Sequence, residues 1–206
     1  MKFFIFLFAL TFSVASYGQV SVGLTGGLFI DPIPDKDVRH PSSHLAYKIG
    51  GEVLVKLSDR WKFKTGAEYV SFTFKRTFQY TDQFGNKLGA ADEYFTASYI
   101  GIPLGIRYEF KGKKVNPFLD ASVSSMIKVS DKSKVQNYPF SNQTTDLSAN
   151  AFIVSPSLGA GLTYRPTEKI YLSFLLNYNL QLMNVYDYNN TRYNSLGAIL
   201  SGGYQF

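Results

Sequence analysis

Along residues 19–206, apolar and polar side chains alternate with a period of two in eight runs. That period is the signature of β-strands with two unlike faces. Residues 19–30 set Val20, Val22, Leu24, Leu28 and Ile30 against Ser21, Gly23, Thr25 and Gly27. In residues 45–57, Leu45, Tyr47, Ile49, Val53, Val55 and Leu57 oppose Lys48, Gly50, Glu52 and Lys56. The third run places Trp61, Phe63, Ala67 and Tyr69 opposite Lys62, Lys64, Gly66 and Glu68. Beyond Tyr69 the apolar character passes to Val70, Phe72 and Phe74, which predicts a β-bulge or the level at which the strand leaves its apolar surroundings. Four of the five remaining runs begin near Ile100, Pro117, Phe152 and Ile170, and the last covers residues 195–206, with Leu196, Ala198, Leu200, Gly202, Tyr204 and Phe206 on one face. Pro103 in the fourth run lacks a backbone donor, so a bulge or a locally unpaired position is expected there.

The connections also alternate. Short turns near 58, 111 and 166 interleave with long polar loops at 31–44, 76–93, 130–150 and 183–192. An even number of strands with this asymmetry predicts an all-β, eight-stranded antiparallel up-and-down transmembrane β-barrel, with short turns on the periplasmic side, long loops outside and both termini periplasmic. A soluble lipocalin-like barrel would also alternate, but it keeps bulky apolar residues inside. Here the second face is dominated by Gly, Ser and Thr with a few charges, which suits the narrow interior of an eight-stranded barrel. The bulky face then meets lipid, and Phe63, Tyr108, Phe110, Tyr164, Tyr204 and Phe206 are expected to form a girdle on the turn side. Closure requires the last strand to pair antiparallel with residues 19–30.

Composition narrows this picture. Tyr 15, Phe 18 and Gly 17 fit strands and girdles, and a mean hydropathy of -0.07 fits alternation better than apolar helices. Zero cysteines exclude disulfides, thiolate catalysis and Cys-ligated metals. The +6 charge is scattered, without a basic helix or nucleic-acid motif, so no nucleic-acid partner is expected. Residues 1–18 carry Lys2 and then an apolar run followed by small residues, which reads as a signal peptide cleaved after Gly18 or Ala15; the barrel domain is then 19–206.

The run Ser98-Tyr99-Ile100-Gly101-Ile102-Pro103-Leu104-Gly105-Ile106-Arg107-Tyr108 and the ending Tyr204-Gln205-Phe206 resemble the small outer-membrane β-barrels of the PorT-like and OmpA/OmpX-like kind, often placed in the porin family. The resemblance implies barrel and location more than activity. PorT-like members are associated with protein secretion, which makes a secretion-apparatus component the alternative to a structural or interaction protein acting through its outer loops. Leu200, Tyr204 and Phe206 also resemble the C-terminal signal read by the barrel-assembly machinery at insertion. Outer-membrane lipids and that machinery are the expected partners, with protein partners at the loops.

The lumen-facing charges must pair, because isolated buried charges are costly. With Phe110 opposite Pro117, Arg107 falls across from Asp120, while Glu52 and Glu68 lie near Lys48 and Lys64; these six are the expected lumen network, in a packed lumen without an open pore. Lys56, Lys62, Glu109, Lys128 and Arg165 share that face. No catalytic residue, cofactor or metal site is expected. His40 and His44, near Asp31, Asp35 and Asp37, read as a solvated loop in preference to a metal site or the frame of a lipid-modifying hydrolase. Phe78, Tyr80 and Phe84, with Tyr186, Tyr188, Asn189, Asn190, Arg192 and Tyr193, read as interfacial aromatics, with an adhesive surface as the competing view.

Overall fold

A computed structural model describes residues 19–30, 44–81, 84–136, 149–183, 185 and 194–206. Eight strands, β1 (Val20–Ile30), β2 (His44–Lys56), β3 (Trp61–Thr81), β4 (Lys87–Glu109), β5 (Val115–Gln136), β6 (Phe152–Tyr164), β7 (Ile170–Asn179) and β8 (Ser195–Gln205), pair antiparallel in sequence order and close into a barrel. Closure runs from Ser21 opposite Gln205 to Ile30 opposite Leu196, so neither end of the sheet keeps a free edge in the barrel wall. The expected signal peptide lies outside the described residues.

The period-two pattern separates the faces as a membrane barrel requires. Leu24, Ile49, Ile102, Leu158 and Leu200 face outward and are exposed, while Ser21, Glu52, Arg107, Asp120 and Thr163 face inward and are buried. A continuous apolar exterior excludes the lipocalin arrangement. From Ile100 to Tyr108 the outward residues of β4 are apolar or aromatic. Nine residues at a tilt near 40° cover roughly 23 Å, about the height of a bilayer's apolar band. At the turn side Trp61, Phe110, Tyr164, Tyr204 and Phe206 are exposed in a girdle, with Tyr108 and Phe63 half-buried beside them.

Three sequence expectations change. First, β3 does not slip after Tyr69: its register with β2 is unbroken from Lys56 opposite Lys62 to His44 opposite Phe74. Val70 and Phe74 are apolar yet face inward, because the lumen itself becomes apolar at that height. The bulge lies instead in β5, where Ser98 pairs with Ser130 and Tyr99 with Lys128, leaving Val129 over. Second, 76–93 is not a loop but largely the continuation of β3 to Thr81 and of β4 from Lys87, with Gly85 at φ 83° between them. Only glycine adopts that backbone without strain. Third, β5 likewise runs on to Gln136, beyond the end expected at Val129.

Pro103 behaves as anticipated on one side. Its partners on β5 continue, with Pro103 opposite Ser124, but the β3–β4 ladder is interrupted between Lys64 opposite Gly105 and Glu68 opposite Gly101. The missing donor therefore falls where no ladder bond is made.

Candidate functional site

The lumen is the place where chemistry-bearing side chains converge, and it has two storeys. In the turn-side half, residues of β2 to β5, with Tyr171 of β7 and Arg165 just past β6, form ion-pair groups that fill the lumen. The Nε of Arg107 donates to Asp120 Oδ2 at 3.1 Å, and its Nη2 lies 3.6 Å from Glu52 Oε2. Lys64 Nζ reaches the other Asp120 oxygen at 2.9 Å, and the Tyr171 hydroxyl donates to Glu52 at 3.1 Å. Glu109 is shared by Lys62 at 2.8 Å and Arg165 at 2.7 Å. Lys48 pairs with Glu68 at 3.2 Å, one level higher.

The register explains these partners. Arg107 and Asp120 are directly opposite on β4 and β5, as the short turn between them dictates. The expected proximity of Glu68 to Lys48 holds, but Glu52 is met by Arg107 and Tyr171, while Lys64 turns to Asp120. Partners here lie across the narrow lumen as often as along a hairpin. Arg107 is 1% exposed and its guanidinium carbon sits 4.1 Å from the Phe118 ring centroid. Its Nη1 has no hydrogen-bond partner among the described residues.

The loop-side half is apolar, which corrects the expectation of a uniformly polar lumen. Val70, Phe74, Phe95, Ala97, Tyr99, Met126 and Ile153 are buried together, joined by Ala149 and Val185 from the connections after β5 and β7. Those two residues sit over the mouth and are held there. Asn150 N donates to Val185 O at 2.7 Å, the Tyr99 hydroxyl donates to Asn150 O at 3.1 Å, and Lys128 Nζ reaches both Ala149 O and Asp131.

Bulky lumenal residues fit because glycines face them. A methyl carbon on Gly161 would lie 2.5 Å from Phe118 Cζ, and one on Gly159 would lie 2.6 Å from Leu175 Cδ1. A second apolar cluster of Phe29, Ala46, Phe118, Leu175 and Ile199 is packed this way. Among the described residues, small voids of about 30 Å³ beside Lys48, Glu68 and Gln181 and of about 10 Å³ beside Arg107 and Glu52 lie in the lumen. Voids of this size hold about a water molecule each.

Other candidates are less well defined. His40 and the aromatic residues 186–193 lie outside the described residues, and His44 opens β2. Phe78 and Tyr80 are positions of β3, and Phe84 is exposed at the tip of the β3–β4 hairpin. Among the described residues no group of three or more His, Cys, Asp or Glu could hold a metal.

Over residues 12–206 the sequence matches the family described as outer membrane protein beta-barrel domain. The chain belongs to that family. It is an outer-membrane β-barrel, which accounts for its closed sheet and apolar exterior. Solved structures of similar fold include Ail of Yersinia pestis, at 13% identity and TM-score 0.42, covering 92% of this chain and 99% of that one. They also include Neisserial surface protein A, at 14% identity and TM-score 0.46 over 91% and 95%, and the Escherichia coli outer membrane protease OmpT, at 9% and 0.45 over 92% and 96%. Among curated proteins none matches the sequence.

Proposed function

We propose that the barrel is a non-enzymatic structural or interaction protein that presents a recognition surface on its loop side above a closed lumen. One observation carries this reading: β3, β4 and β5 continue past the lipid-facing belt as a three-stranded sheet. Arg76 pairs with Glu93, Tyr80 with Gly89, and Asp92 with Gln136, all beyond the level of Ile100. Among the described residues, β3 pairs with β4 alone above His44 opposite Phe74, and β5 pairs with β4 alone above Lys128, whose N donates to Ala151 O at 2.9 Å. Among the described residues the projection offers two strand edges, and sheet edges are templates for a partner. Lys75–Asp92, at 3.0 Å, ties the hairpin across its outer face.

A packed lumen supports a role at the surface over one in transport. The network carboxylates Glu52, Glu68, Glu109 and Asp120 are all engaged in ion pairs, which suits scaffolding better than proton transfer. The turns and both termini lie on the periplasmic side in this reading, and Leu200, Tyr204 and Phe206 close the barrel and mark it for insertion.

Crosslinking and pulldown from outer membranes, comparing the whole chain with a variant in which residues 77–91 are replaced by a short turn, tests the proposal. A surface role predicts partners lost on shortening the hairpin. Partners retained in full by the shortened chain would refute it, and recovery of a fixed secretion assembly would replace it with the secretion reading.

A further inference from the structure

On the turn side, outside the lumen, we propose a binding site for the phosphate headgroup of an anionic phospholipid, built on Arg60 and Tyr108. Residues 57–60 form the turn between β2 and β3, and it is fixed on both flanks. The Ser58 hydroxyl accepts from Arg60 N at 3.4 Å and Trp61 N at 3.2 Å, and Arg60 O accepts from Glu109 N at 2.8 Å. The Arg60 side chain thus leaves the rim at a defined point. Its Nη1 donates to the Tyr108 hydroxyl at 2.9 Å, so the phenolic proton is left to donate to a further acceptor.

The rim separates two kinds of cation. Lys56 and Lys111 are both matched by Asp59, at 3.2 and 3.4 Å. Arg60 has no carboxylate within ion-pair distance among the described residues, and its planar fork fits two phosphate oxygens at once. Lys113 and Lys114 in the next turn are exposed on the same rim. They would repel the ammonium of a zwitterionic headgroup, which gives preference for an anionic one.

What separates a lipid from a free phosphate is the surface below. Tyr108 is flanked edge-on by Trp61 and Phe110, with ring centroids 4.9 Å away in each case. Trp61 and Phe110 are exposed toward the bilayer. Phosphate held by Arg60 and Tyr108 places acyl chains along those rings, at the level where aromatic side chains sit in membranes.

The test uses the full barrel extracted in mild detergent with equimolar phosphatidylglycerol and phosphatidylcholine, read by native mass spectrometry. Retention of phosphatidylglycerol should exceed that of phosphatidylcholine by about fivefold, the factor one surface cation contributes. Arg60→Gln should lower retention of both lipids, since each carries the phosphate, with Arg60→Lys intermediate, and Lys113→Gln with Lys114→Gln should bring the ratio close to one. A measurement on the unaltered chain guards against misfolding of variants. Trp61 is the sole tryptophan, so phosphatidylglycerol with brominated acyl chains should quench its emission more than the brominated phosphatidylcholine. Equal retention and equal quenching of the two lipids would overturn the proposal, as would a folded Arg60→Gln barrel with unchanged retention of both. Displacement of the lipid by equimolar inorganic phosphate would overturn the lipid assignment in favour of a free anion.

Discussion

Replacing Arg107 with methionine keeps most of the volume above Phe118 but removes the cation shared by Asp120 and Glu52. Removing one member of a buried pair typically costs about 3–5 kcal/mol, because the remaining charge is left in a low-dielectric site. Here both carboxylates keep a second partner: Lys64 at 2.9 Å from Asp120 and the Tyr171 hydroxyl at 3.1 Å from Glu52. The cost of Arg107→Met should therefore fall at the low end, about 3 kcal/mol. Adding Glu52→Gln removes the carboxylate that lost its cation while preserving an acceptor for Tyr171. The double variant should then be less destabilised than the single one, by about 1–2 kcal/mol relative to the parent. Urea unfolding of the refolded barrel, followed by emission of Trp61 at the girdle, measures both. A single variant within 1 kcal/mol of the parent, or a double variant no better than the single, would show that the network does not hold the lumen as described.

Further predictions concern packing and the rim. Gly161→Ala drives a methyl against Phe118, and Gly197→Ala drives one against the Phe29 ring, so each should destabilise the barrel by about 1–3 kcal/mol in the same urea assay. Tyr171→Phe removes one hydrogen bond from Glu52 and should cost about 1.5–3 kcal/mol, the range for a bond to a charged group. Hydrogen bonds first from Lys56 and then from Lys111 hold the Asp59 carboxyl below the usual aspartate range. Its contribution is present above the unfolded-state pKa and is lost as pH falls through the lower folded value. Carboxyl carbon shifts should show that low midpoint, rising on Lys56→Gln.

The strands, their order and the closure of β8 on β1 were legible because a period of two needs no tertiary information. Leu24, Ile49 and Leu200 announce the lipid face on their own. The lengths of β3, β4 and β5 were not legible, because above the belt both faces lose the apolar contrast that reports burial: Asp92, Tyr94 and Thr96 alternate with Ala91, Glu93 and Phe95. Nor was the apolar storey, since Val70, Phe72 and Phe74 look like lipid-facing residues out of phase. Register alone shows that they point inward. The direct Arg107–Asp120 pair followed from one turn length, whereas Glu52–Arg107 and Lys64–Asp120 join strands that are not neighbours through a hairpin. For the bulky lumenal residues a signal did exist. Phe118 is directly opposite Gly161, and Phe29 opposite Gly197, so small-against-large pairs across a ladder mark the inner face.

The two storeys close the lumen by different physics, and this makes closure resistant to any single condition. At 1 M salt the screening length falls to about 3 Å, which removes attraction between exposed charges but reaches buried pairs much less. The Arg107–Asp120 and Lys64–Asp120 contacts are buried, with Asp120 3% exposed, so added salt should not separate them. The apolar storey under Ala149 and Val185 is held mainly by burial that salt does not weaken, with the partly exposed Lys128–Asp131 pair only at its rim. Planar-bilayer recordings in 1 M potassium chloride should therefore show no large, stable conductance. Opening the lower storey with Lys48→Ala and Glu68→Ala should leave the membrane insulating, because the mouth remains packed. Stable ohmic channels in the parent chain, or in that variant alone, would mean that the loop-side cluster does not seal the barrel.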